Sequence, residues 1–190
     1  MSVESSYEAF APKAGLTPAD GFWPGAVTPL LTKGGQLRPA FGGTLTQGIE
    51  AVIAYYEYGR FGYNVVFASI PESQPFMPRL GCDRRGRITD DTHYGFEVRS
   101  SRLWTESEKL NERFKVTVSP FQDDNRLRQL FIPTFIDWLG EGSPGDFSFE
   151  LAYGSLLCSV EDDDPDEAGL QELWEAGAIV AKRIRDESSE

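Results

Sequence analysis

The sequence predicts an α+β domain in which an antiparallel sheet of roughly six to eight strands is packed by two main helices, near residues 123–139 and 165–186. Three observations carry that expectation. Residues 147–160 alternate apolar and polar around a turn-forming glycine, residues 165–186 carry a capped amphipathic stripe, and residues 43–82 are short β-rich runs punctuated by glycine and proline.

The first forty residues are broken by Pro12, Pro18, Pro24, Pro29 and Pro39. Proline removes an amide donor and halts regular elements, so residues 1–40 are expected to form an extended arm and residues 41–190 a single domain. The ends, MSVESSYEAFAPKAG and RDESSE, read as frayed tails. Phe22, Trp23, Val27, Leu30 and Leu31 make the arm apolar enough to lie on the chain's own core or on another protein.

From Gly43 onward, residues 44–47, 49–58, 63–70 and 76–82 are rich in β-branched and aromatic side chains, with turns at 59–62 and 71–75. They read as a meander. Residues 83–92, DRRGRITDDT, form a polar loop, 94–99 a further strand and 106–113 a short helix. Phe114, Val116 and Val118 alternate with Lys115 and Thr117, the period of a strand with one buried face.

Asp123 or Asp124 can accept the free amides of an opening helical turn. Leu127, Leu130, Phe131, Phe135 and Trp138 then fall on one face, with Pro133 predicting a kink or break. Phe147, Phe149, Leu151 and Tyr153 alternate with Ser148, Glu150 and Ala152, and Gly154-Ser155 is the expected turn into a second strand. In the last helix, Asp164 is the expected N-cap, Pro165 the first helical residue and Glu167 a capping-box acid. Leu170, Leu173, Trp174, Gly177, Val180, Ala181 and Ile184 form its buried stripe.

Chemistry is scarce along the chain. A single histidine, His93, limits nucleophile–base systems, and it sits in a polar loop. One histidine and two distant cysteines, Cys82 and Cys158, match no transition-metal motif. The cysteines read as buried and reduced. Asp162, Asp163, Asp164, Asp166 and Glu167 lack the glycine and late glutamate of a calcium loop. Glu50, Glu57, Glu97 and Glu150 lie on predicted strands, where they are expected to face water. No nucleotide-binding glycine motif appears, and no cofactor is expected.

Thirty acidic against eighteen basic residues give a net charge of −12, which repels nucleic-acid phosphates and anionic lipid. No run approaches the ~20 apolar residues of a membrane span, and the N-terminus lacks a secretory pattern. The expectation is therefore a cytoplasmic protein with a protein partner, binding neither nucleic acid nor membrane. Phe22, Trp23, Leu30 and Leu31 on the arm, with Arg84 and Arg85 in the polar loop, are the candidate contact residues.

The run Leu110-Asn111-Glu112-Arg113-Phe114-Lys115-Val116, the later Leu130-Phe131-Ile132-Pro133 and the terminal strand pair and helix together resemble an uncharacterised family of small bacterial α+β domains of unknown function. Gly43 to Gly48 followed by Ala54-Tyr55-Tyr56-Glu57-Tyr58 is similar to that family's opening hairpin. The resemblance spans residues 40–186 and implies a fold, with no catalytic residue to carry over. It also implies membrane-spanning helices outside the domain, which this sequence does not show.

The function expected is a non-catalytic cytosolic binding or accessory protein. One alternative is a small-ligand-binding domain or hydrolase with a pocket lined by Trp23, Tyr55, Tyr56 or Tyr63. Another is a subunit of a larger, phage-related or multiprotein assembly in which residues 1–40 tie neighbouring copies together.

Overall fold

The computed structural model describes residues 2–21, 27–75, 77, 79–84, 101–103, 105, 107–119 and 124–188. The polar loop beyond Arg84, the strand expected at 94–99, His93, Glu97, Phe22, Trp23 and Arg85 lie outside them.

One antiparallel sheet organises the chain, in the order β1-β2-β3-β4-β9-β8-β5-β7-β6. The strands are β1 (Thr17–Pro18), β2 (Gln36–Thr46), β3 (Ile49–Tyr58), β4 (Phe61–Ser69), β5 (Arg79–Arg84), β6 (Ser101–Leu103), β7 (Phe114–Val118), β8 (Ser148–Ala152) and β9 (Ser155–Glu161). Eight are longer than the two-residue β1, so the expected α+β architecture is present. The helices are α1 (Val3–Lys13), α2 (Glu108–Arg113), α3 (Asp124–Leu130), α4 (Pro133–Asp137) and α5 (Glu167–Ser188).

Strands β2, β3 and β4 form a meander over three of the four expected runs; β2 starts at Gln36, inside the expected arm, and β5, the fourth run, is separated from β4 by two strands. The meander's first turn, Gln47-Gly48, has positive φ at both residues (42° and 77°), the geometry that matches hairpin twist. In the β8–β9 hairpin the same role falls to Tyr153-Gly154, with φ of 51° and 81°, one residue earlier than the expected Gly154-Ser155. This hairpin is inserted between β4 and β5, where β9 pairs with β4 and β8 with β5.

The N-terminal residues are not a frayed or extended tail. Ser2 caps α1 by accepting the Ser5 amide at 3.2 Å, and Tyr7, Phe10 and Ala11 are buried in the main core. Pro12 lies in the last turn of α1, where it cannot donate to the Glu8 carbonyl, and the helix ends one residue later. Tyr7 donates to Asn64 Oδ1 at 2.9 Å, and Asn64 Nδ2 donates to the Asp162 carbonyl at 3.3 Å, which ties α1 to β4.

The helix expected at 123–139 is interrupted. Ile132 is extended between α3 and α4, Pro133 opens α4, and a wide turn over Trp138–Gly142 ends it. Phe135 stacks on Trp138 at 5.5 Å and meets Phe149 edge-on at 6.2 Å, which seats α4 on β8.

Helix α5 begins later than expected. Asp166, not Asp164, is the capping residue, accepting the Gly169 amide at 2.8 Å. Pro165 and Leu170, both buried, occupy the two positions of a hydrophobic staple. The stripe predicted on α5 is buried throughout, and the helix runs on through the expected C-terminal tail to Ser188.

Candidate functional site

The helices cover one face of the sheet, joined to it in a core that includes Ile53, Val66, Cys82, Phe149, Cys158, Leu173 and Val180. Opposite them lies a smaller apolar layer of Val52, Ala54, Tyr56, Tyr63, Val65 and Leu157, closed by Leu30 and Leu31 from residues 27–35. Leu30 and Leu31, expected as partner contacts, are therefore spent on the chain's own sheet, at 3% and 0% exposure.

Strand β8 is buried along its whole length because both faces are covered. Glu150 consequently does not face water as a strand glutamate is expected to; it is 3% exposed, while Glu57 stands on the surface and Glu50 accepts the Thr44 hydroxyl at 2.7 Å. On the same face, Asp83 of β5 is 2% exposed. Gly81 is opposite Glu150 in the ladder, which places Asp83 two residues along the neighbouring strand. Asp83 and Arg84 thus belong to a strand, not to the polar loop expected from residue 83.

Burial is the main cause that lifts the Glu150 carboxyl to about 8, and the Asp83 charge adds to it. Three groups pull the other way: the Leu30 amide, which donates to Glu150 Oε2 at 2.9 Å, the charge of the Lys33 ammonium, and the nearby Thr28 hydroxyl, which makes no well-formed hydrogen bond. All three come from residues 27–35. The same segment is clasped a second time by Tyr56, whose hydroxyl donates to the Leu30 carbonyl at 3.1 Å and accepts the Gly35 amide at 2.9 Å.

The aromatic pocket expected from Tyr55, Tyr56 and Tyr63 is not assembled. Tyr56 and Tyr63 pack under residues 27–35 with ring centroids 6.3 Å apart, whereas Tyr55 packs against the opposite, helix-covered core. Arg84 lies over the Phe114 ring at 5.9 Å and donates to the Pro144 carbonyl at 3.3 Å.

Both cysteines are buried free thiols, as the sequence suggests, and burial pushes each well above the ordinary thiol range. Each lies opposite Phe149 in the ladder, Cys82 from β5 and Cys158 from β9. The acidic run has structural employment: Asp163 accepts the Gly62 amide at 2.8 Å, Asp162 accepts the Asp164 amide at 3.0 Å, and Glu167 pairs with Lys13. Among the described residues no group of three or more metal-ligating side chains gathers.

Among the described residues, a cleft of about 480 Å³ lies beside α3 and α4. Phe131, Pro133 and Ile136 give it an apolar floor, and Arg128 and Asp137 supply opposite charges at its rim. Ile132 is exposed next to it at the break between the helices. The sequence marks this break through Pro133 but not the cleft, which needs Thr105 and Ser107 brought alongside.

No family model and no curated protein matches the chain. Among solved structures it is similar to the crystal structure of the mycobacterial trehalose monomycolate transport factor A, TtfA, with a TM-score of 0.62 at 10% identity, covering 97% of this chain and 93% of that one. The likeness is one of fold. No helix among the described residues is long and apolar enough to cross a membrane.

Proposed function

We propose that this chain is a non-catalytic accessory protein of the cytoplasm that works through contact with another protein. The carrying observation is the closure around Glu150: its carboxyl is buried and accepts the Leu30 amide, so it is committed to holding residues 27–35, and Asp83, two residues along the neighbouring strand, is buried as well. The cleft lined by Thr105, Ser107, α3 and α4 supplies the contact surface, with apolar and charged lining. Likeness in fold to a protein named as a transport factor supports an accessory role without naming a cargo.

A small-ligand reading is favoured by one feature, since the cleft volume of about 480 Å³ falls in the ~300–1,000 Å³ span of ligand pockets. Affinity capture of the full chain from native lysate, beside an Ile132→Glu/Asp137→Arg variant, separates the two. A protein retained by the natural sequence and lost by the variant supports the accessory reading. A bound small molecule in native mass spectra, with no retained protein, replaces it by ligand binding. Substrate turnover abolished in Glu150→Gln overturns the non-catalytic reading. Truncating residues 1–40 is a poor test because it removes Tyr7, Phe10, Leu30 and Leu31 from the core.

A further inference from the structure

We infer that residues 27–35 are a proton-held latch over the second face of the sheet, fastened while the Asp83–Glu150 pair carries a proton and loosened when that proton leaves. The segment has little regular structure of its own. A short turn, with Thr32 N–H bonded to the Thr28 carbonyl at 3.1 Å ahead of a 3-10 turn at Leu31–Lys33, is its regular structure, and Leu30 and Leu31 are its apolar anchors. Its polar anchorage converges on two side chains, Glu150 at the Leu30 amide and Tyr56 at the Leu30 carbonyl and Gly35 amide.

The protonated pair is compatible with that grip. A neutral Glu150 still accepts the Leu30 amide, and its acid hydrogen neutralises the repulsion with Asp83. When the proton passes to a base in solvent, two buried carboxylates are left on adjacent strands, two residues apart in the ladder. Charge of that kind is accommodated by admitting water, and the segment that excludes water is residues 27–35. Its release would uncover Val52, Ala54, Tyr56, Tyr63, Val65 and Leu157.

Among the described residues, the charged and titratable groups on this face are Lys33 from the segment itself, Asp83 and Arg79 from β5, Lys115 from β7 opposite Asp83, Tyr56 and Tyr58 from β3, Tyr63 from β4 and Glu161 from β9 opposite Tyr63. β9 contributes Leu157 opposite Glu150 and Ser159 opposite Ser148. Burial raises the Tyr56 hydroxyl above its ordinary value, so it stays neutral through the range in which Glu150 titrates. Latching is independent of whether the cleft beside α4 takes a protein or a small molecule.

Hydrogen–deuterium exchange of the intact protein between pH 6 and 9.5, read on peptides covering 27–35 and corrected for intrinsic amide chemistry, tests the latch. Protection is expected to fall by up to about tenfold per pH unit between pH 6 and 8 and to level off above about 8, where closed and open forms are both deprotonated, while peptides from the middle of β3 hold theirs. Glu150→Gln, a permanently neutral isostere, is expected to keep the segment protected across the range. Lys33→Met removes a facing cation, disfavours the charged carboxylate and moves the midpoint to higher pH. Corrected protection that ignores pH in the natural sequence, a Glu150→Gln curve that follows it, or a Lys33→Met midpoint that does not move would each overturn the latch.

Discussion

Two glycines on α5 ask the same substitution to have opposite signs. Gly169 lies in the exposed first turn, and a Cβ there would meet only the Asp166 carboxylate, at 3.3 Å. Gly177 lies at the crossing of α5 over β4, and its Cβ would come 2.9 Å from Val66 Cγ1 and 3.3 Å from Val66 Cβ. Backbone entropy alone favours alanine at either position by roughly 0.5–1 kcal/mol. At Gly177 that gain is opposed by overpacking, which costs about 1–3 kcal/mol when a filled core must shift. Val66 is wholly buried and β-branched, so it cannot turn aside. The whole of α5 must lift, loosening Leu173, Trp174 and Val180 together.

Gly169→Ala is therefore expected to stabilise by about 0.5 kcal/mol, and Gly177→Ala to destabilise by about 0.5–2 kcal/mol. Urea denaturation followed by tryptophan fluorescence reads both, and thermal midpoints should move by about 2–4 °C for each kcal/mol. If Gly177→Ala gains as much stability as Gly169→Ala, the close approach of α5 to β4 is not there and the helix does not seat on the sheet as described.

Replacing Trp174 by alanine should cost about 3–5 kcal/mol, because the indole is 7% exposed in the main core; a thermal midpoint within a degree of the natural protein would remove it from that core. The native state favours the acid form of Glu150, whereas the unfolded chain releases that proton near 4.5. Its contribution to stability is thus complete below about 4.5 and is lost as pH rises through about 8. The free energy of Glu150→Gln minus that of the natural protein should grow across this window to at most about 4–5 kcal/mol, with latch opening reducing the total. Denaturation curves whose separation stays constant from pH 5 to 9 would refute the assignment.

Local pattern was enough for the elements whose register is set by neighbours in sequence. The β2–β3–β4 meander, β7 and the β8–β9 hairpin follow from alternation and turn chemistry, and α5 from a stripe that repeats every three or four residues. Helix α1 was legible in principle through Ser2 and its first turn, but five prolines in forty residues weighed against it. Glu150 left a fainter signal: its strand pairs with Leu156-Leu157-Cys158, a run apolar on both faces, which marks a sheet covered on both sides.

What the sequence by itself determined, then, is the class of fold, the position of most strands and the buried stripe of the last helix, since each depends on periodicity within one segment. Tertiary structure alone decided that the β8–β9 hairpin enters between β4 and β5, that residues 27–35 fold over the second face, and that Glu150 is buried beneath them with Asp83 on the neighbouring strand. Those pairings join positions as far apart as Leu30 and Glu150. Their closure cost is repaid only when both faces of the sheet are covered at once, so no window of local sequence contains them.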